Sequence, residues 1–168
     1  IDLFRANSIR VLAKIMDASM VGQMERFLKQ ALVDKNPFIM ASTLCAGQHL
    51  FNTAPDVIKR WLAEIQEALN NKARMVQYHA LALLYRVKQH DKLAINKVVT
   101  SLAKTGQTSH SPMAQCLQIR IIFNILQTTP GPMNPELLKY LMDLLHNKHF
   151  MVMYEAAKSI VRLDQITA

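Results

Sequence analysis

The chain has 168 residues, with 20 Lys and Arg against 12 Asp and Glu, a formal charge of +8 with His neutral. With 51% hydrophobic and only 19% charged residues it is too apolar to be disordered. Four glycines and two cysteines exclude a glycine-rich phosphate loop and a disulfide-built miniature fold. A chain of this length can bury a sizeable core, roughly two-thirds of its unfolded surface.

The first element is helical, and Ile9, Leu12 and Ile15 fall at three-residue steps along it. Asp17-Ala-Ser19 forms the turn that follows, with Ser19 expected as the N-cap of a second helix at about 20–33. That helix holds more apolar residues than one core-facing stripe needs: Met20, Val21, Met24, Phe27, Leu28, Ala31, Leu32 and Val33. All of them can pack against neighbours. Alternatively Met20, Gln23, Met24 and Phe27 stay open and form a protein-binding surface, since methionine adapts to a partner's shape.

Asn36-Pro37 opens the next helix, which carries Leu44, Gly47 and Leu50. A proline in the first turn of a helix loses nothing, because its missing N–H would have no partner there. Pro55 followed by Asp56 then begins a helix over 55–69, with Val57, Ile58, Trp61, Leu62, Ile65 and Leu69 on one stripe. Trp61, the single tryptophan, is expected in the core, with an interface anchor as the alternative. The stretch 74–87 is apolar on nearly every side, with Leu81, Leu84 and Val87 in register. A helix of that kind needs neighbours on several sides.

An amphipathic helix follows at 93–104, then the polar loop 106–110. Ser111-Pro112 opens a helix carrying Ile119, Ile122 and Ile125. The interruption at 128–134, rich in Thr, Pro and Gly, is the longest in the chain. Pro135-Glu136 starts a helix to about 146, and a last helix carries Ala157, Ile160 and Leu163.

The first residues of these triplets, at 9, 44, 81, 119 and 157, step by 35, 37, 38 and 38. Three residues before them stand Ala6, Ala41, Tyr78, Cys116 and Tyr154. A near-constant step of this size marks stacked helical pairs, each a buried helix A followed by an amphipathic helix B. The expected fold is all-α: one right-handed α-solenoid segment of HEAT or armadillo type, with about nine helices. Its pairs span about 1–34, 36–70, 73–105 and 112–147, with an unpaired helix at 149–164. The first residue is Ile and neither end has a polar capping repeat, so a segment of a longer solenoid is expected. The longest uncharged run, 36–55, carries Gln48, His49 and Asn52, which suits a core helix rather than a membrane span.

Chemistry is sparsely signalled. His146 and His149 are three apart but lack Cys, Asp or Glu at ligand spacing, so no metal is expected there. His79 sits in the most apolar helix and reads as a hydrogen-bonded core residue. Cys45 and Cys116 occupy non-equivalent repeat positions, which argues against a disulfide and for a reducing compartment. No nucleophile elbow, no zinc-protease motif and no cofactor site is present, and the chain is expected not to be an enzyme. The positive charge is scattered, as on a solvated surface. A basic patch facing a membrane or partner is the alternative, and nucleic-acid binding the third choice, because the aromatic residues lie on apolar stripes.

Met75-Val-Gln-Tyr-His-Ala-Leu-Ala-Leu-Leu-Tyr85, Lys92-Leu-Ala-Ile-Asn-Lys97, Lys59-Arg-Trp-Leu62, Tyr154-Glu-Ala-Ala157 with Asn147-Lys-His149, and the stretch from Glu25 to Lys35 resemble the coatomer gamma family. The resemblance covers almost the whole chain and is weakest from Gln107 to Asn134. It implies the adaptin-like trunk of the COPI vesicle coat, a curved α-solenoid on the cytosolic face of Golgi membranes. It further implies pairing with a zeta subunit, binding of a GTP-loaded Arf-family GTPase, and service in Golgi-to-endoplasmic-reticulum and intra-Golgi transport. A basic balance suits work beside an anionic leaflet. A clathrin-adaptor trunk, and a helical-repeat scaffold for nucleic acid or transport cargo, are the alternatives.

Overall fold

The computed structural model describes residues 1–89, 91, 95, 111–128 and 134–163. Among them there is no strand. The helices are α1 (Asp2–Ile15), α2 (Ala18–Leu32), α3 (Pro37–Leu50), α4 (Pro55–Lys59), α5 (Leu62–Ala68), α6 (Arg74–Lys88), α7 (Pro112–Thr128), α8 (Pro135–Asp143) and α9 (Phe150–Val161). The all-α class is as expected. The helix expected at 93–104 and the loop at 106–110 lie outside the described residues, as does most of the 128–134 interruption.

The chain divides into two compact units, Ile1–Val87 and Lys88–Ala168. In the first, α1 and α2 both pack on α3. Ala6, Ala31 and Ile39 form a shared buried cluster there, flanked by Ile9 and Phe38. The Arg10 guanidinium lies 5.8 Å from the centre of the Phe38 ring. α6 also meets α3: Gly47 faces Leu83 and the Trp61 ring, so only a residue without a side chain fits. Gln48 donates to the His79 carbonyl at 3.5 Å, and Arg86 to the Asn52 side chain at 2.6 Å.

The local signals explain most helix starts. Asn36 caps α3, its side chain accepting from the Phe38 N–H at 2.9 Å, with Pro37 in the first turn. Asn134 does the same for α8 through the Glu136 N–H at 3.0 Å. The second helix departs from expectation. Its cap is Asp17, which accepts from the Met20 N–H at 2.8 Å, and Ser19 is already inside the first turn. Asp17 comes first in the chain and holds a carboxylate, the stronger acceptor for a backbone N–H.

The helix expected over 55–69 is broken into α4 and α5 at Arg60-Trp61. There the backbone closes tighter turns, Arg60 N–H to the Val57 carbonyl and Trp61 N–H to the Ile58 carbonyl. The break turns the large, fully buried Trp61 onto Gly47. Of the expected stripe, Ile58, Trp61 and Ile65 are buried. Val57, Leu62 and Leu69 are half-buried.

In the second unit α9 packs on α7 and α8. Ile119, Ile121, Ile122, Leu137, Leu141, Val152 and Ala156 make its core. A short 3-10 turn at Leu144–His146 joins α8 to the Asx turn before α9, in which Asn147 accepts from the His149 N–H at 3.0 Å.

The apolar triplets are not equally buried. Leu44, Gly47 and Leu50 are fully enclosed, as are Leu81, Leu84, Ile119 and Ile122. In α1, by contrast, Ile9 and Leu12 are half-buried and Ile15 is exposed; in α9, Ala157 is exposed and Ile160 half-buried. α1 and α9 each pack chiefly along one side, so a pattern that suits a helix buried all round is only half used.

Candidate protein-binding surface

α2 is held in place from two directions. Val21, Leu28, Ala31 and Leu32 are buried. On the shoulder beside them, Glu25 takes two hydrogen bonds from Arg60, the one to Nε at 3.0 Å, and Lys29 meets Glu64 at 2.8 Å. Each pair is 35 residues apart, one repeat step. Hydrogen bonding and charge from Arg60 hold the Glu25 carboxyl below the usual range. Burial pushes Glu64 up, but the Lys29 hydrogen bond and a backbone hydrogen bond outweigh it and the carboxyl ends low.

The opposite shoulder is open. Met20 is 43% and Phe27 62% exposed, Gln23 is exposed and Met24 half-buried. At about 100° per residue these four fall within one arc of the helix. The structure therefore brings the four sequence-predicted residues together on one strip, with Met24 at its inner edge. Gln30 continues it and was not singled out from the sequence, although its three-residue step from Phe27 carried the signal.

Trp61 belongs to the core and is not a surface anchor. His79 differs from the hydrogen-bonded core residue expected: its Nδ1 is buried and takes no hydrogen bond. Its ring instead stands edge-on to Tyr78 at 5.2 Å. Burial, then the charge of Arg10, lowers its pKa. Cys45 and Cys116 are both free thiols.

Among the described residues, polar groups line at least two cavities. One, about 400 Å3, is bordered by Asp34, Glu64, Glu67 and Asn71. Two of its carboxylates are engaged: Asp34 accepts from Arg5 and from the Asn36 N–H, and Glu64 Oε1 from Lys29. The second, about 730 Å3, lies between α7, α8 and the turn before α9. The carboxylates whose pKa moves, Glu25, Asp34, Glu64 and Glu155, all move down. That is the opposite of what a general acid near neutral pH requires. No group of three or more metal-ligating residues converges among the described residues, and none of their helices is long and apolar enough to cross a membrane.

Helical pairs joined by rungs one repeat apart, with polar groups spent on those rungs, describe a scaffold. The comparison with known families agrees: residues 1–168 match the adaptin N terminal region. The chain belongs to that family. It is 44% identical over 99% of its length to coatomer subunit gamma-2 of Oryza sativa subsp. japonica, covering 19% of that protein. It is 44% identical over 99% of its length to coatomer subunit gamma of Dictyostelium discoideum, covering 18% of it, and 41% identical over 99% to human coatomer subunit gamma-1, covering 19%. The chain thus spans about a fifth of these relatives.

Proposed function

We infer that the chain is a non-enzymatic scaffold segment of a COPI vesicle-coat subunit, and that the α2 strip of Met20, Gln23, Met24 and Phe27 docks a GTP-bound Arf-family GTPase. The observation that carries the family reading is 41–44% identity across nearly the whole chain to coatomer gamma subunits. The strip is supported by its physical character: exposed methionine and phenylalanine edged by an amide, on a helix fixed from its other side by Glu25–Arg60 and Lys29–Glu64. A rigid helix presenting an apolar anchor and adaptable methionines suits a regulated, reversible contact.

On this reading the helical pairs serve one trunk, since the step of 35 to 38 residues runs through all five A helices. The trunk assembles with a zeta subunit and other coatomer subunits. It works on the cytosolic face of Golgi membranes, in Golgi-to-endoplasmic-reticulum and intra-Golgi transport. Its +8 charge favours peripheral contact with an anionic leaflet.

One observation favours a second reading of the strip. It lies roughly half a turn of α2 from Glu25 and Lys29, which bind the neighbouring pair. The same shoulder could therefore receive another helical pair of a longer trunk. Recruitment separates the two. Met20→Asp with Phe27→Asp should abolish GTP-dependent recruitment of the chain to Arf-bearing liposomes while leaving its helix content unchanged. Undiminished recruitment of the double variant rejects the docking strip.

A further inference from the structure

The charged residues of α2 are Glu25, Arg26 and Lys29. Two of them are spent within the fold, Glu25 on Arg60 and Lys29 on Glu64. Arg26 is exposed and makes no hydrogen bond, ion pair or ring contact among the described residues. It stands about 140° round the helix from the buried Val21, on the outward face of α2. Gln23, three residues before it, and Gln30, four after it, are its neighbours on that face. Gly22 comes one turn before it, and a Cβ added there would meet nothing within 4 Å. A long side chain on a helix leans toward the N-terminus, so Arg26 covers the turn that holds Gly22. No side chain at Gly22 competes with a visitor for that space.

We propose that the GTPase seats one carboxylate side chain in the notch between Gly22 and Arg26 while its apolar patch meets Met20 and Phe27, an inference that rests on the docking reading above. Arginine's planar fork grips a carboxylate through two parallel hydrogen bonds, so it fixes direction as well as contact. Apolar contact with the strip is not directional. A single charge at its edge sets where along α2 the partner stops. The same cation separates the two readings of the strip. Arg26 and Met24 lie about 160° apart on α2, so a helical pair lying alongside Met20 and Met24 leaves Arg26 in water. A partner lying across the outward face of α2 reaches both Phe27 and Arg26, which are adjacent in the chain and both exposed. The surface that fits is therefore apolar at its centre with an Asp or Glu on one edge.

The probe is an Arf-family GTPase locked in its GTP form, bound to the chain and its variants at low and high salt and followed by surface plasmon resonance. Binding by the unaltered chain should weaken as salt rises, because an ion pair at the edge of an interface is screened. Arg26→Ala should weaken binding about threefold and flatten that salt dependence. Arg26→Glu sets like charges against each other and should weaken it about tenfold. Gly22→Leu fills the notch and should also weaken it about tenfold, while thermal stability holds or rises, since leucine is the better helix former. Lys14→Ala, an exposed lysine of α1, should leave binding unchanged. One Asp or Glu of the GTPase, changed to Arg, should restore binding to Arg26→Glu. No binding by the unaltered chain overturns the docking reading and this inference together. Binding that is lost in Met20→Asp with Phe27→Asp but unaltered in Arg26→Glu and Gly22→Leu overturns this inference alone. An equal loss in Lys14→Ala, which would mean diffuse charge, also overturns it, as does failure of every acid reversal on the GTPase to rescue Arg26→Glu.

Discussion

Arg120 and Glu155 stand 35 residues apart and meet at 2.6 Å, tying α7 to α9. Glu25 and Arg60 repeat the same separation in the first unit, as do Lys29 and Glu64. The period set by the apolar triplets therefore also spaces the opposite charges. Glu155 is buried while Arg120 is largely exposed. Removing the arginine leaves a carboxylate with little water around it, and Arg120→Ala should cost about 1 kcal/mol, a partly screened charged hydrogen bond. A urea melt of the variant checks this, and reversing both charges (Arg120→Glu with Glu155→Arg) should recover part of the loss.

The rungs also set an acid sensitivity. Glu155 is held low chiefly by the Arg120 hydrogen bond, Glu25 by Arg60, and Asp34 by the Asn36 N–H. A carboxylate whose folded pKa is depressed stabilises the fold fully above its unfolded value, about 4 to 4.5, and loses that contribution as pH falls through the folded value. The urea midpoint should hold from neutral pH to about pH 5 and fall below it. Glu155→Gln should start lower at neutral pH and fall less on acidification. A midpoint that rises as the pH drops below 4 would contradict the assignment.

Two glycines in helices should answer alanine in opposite ways. An added Cβ at Gly47 would meet Leu83 Cδ2 at 2.9 Å and the Trp61 ring at 3.3 Å. Overpacking of this kind costs about 1–3 kcal/mol and outweighs alanine's helix advantage of about 1 kcal/mol. At Gly22 an added Cβ meets nothing within 4 Å, so Gly22→Ala should stabilise by about 0.5–1 kcal/mol. Trp61, the only tryptophan, reports both melts by fluorescence.

The α2 cap gives a paired test of another kind. Asp17→Ala removes the acceptor of the Met20 N–H and should lower stability by about 1 kcal/mol, whereas Ser19→Ala should change it by a few tenths. Thermal melts of the two variants decide between the capping residues.

Much of the fold was legible because apolar spacing and proline placement act locally. Pro37, Pro55 and Pro135 mark true helix starts, and the triplets at 44, 81 and 119 mark enclosed helices. The break at Arg60-Trp61 was not legible, because it depends on Trp61 finding room against Gly47 from another helix. Ser19 looked like a cap because serine caps helices; only the backbone placed Asp17 in that role. The surplus apolar residues of α2 announced its open strip, but the side on which they emerge is fixed by rungs to Arg60 and Glu64 that no local pattern contains. The cavity bordered by Gln115 and Tyr140 could not be read at all, since it is formed by three elements that meet only in the folded chain.

The most direct test of the account is the affinity of this chain for an Arf-family GTPase in its GTP-locked and GDP-locked forms. The account predicts binding to the GTP form alone, lost when Met20 and Phe27 both become Asp and retained in Lys59→Ala. Equal binding to both nucleotide forms, or full GTP-dependent binding by the Met20→Asp, Phe27→Asp variant, would contradict it.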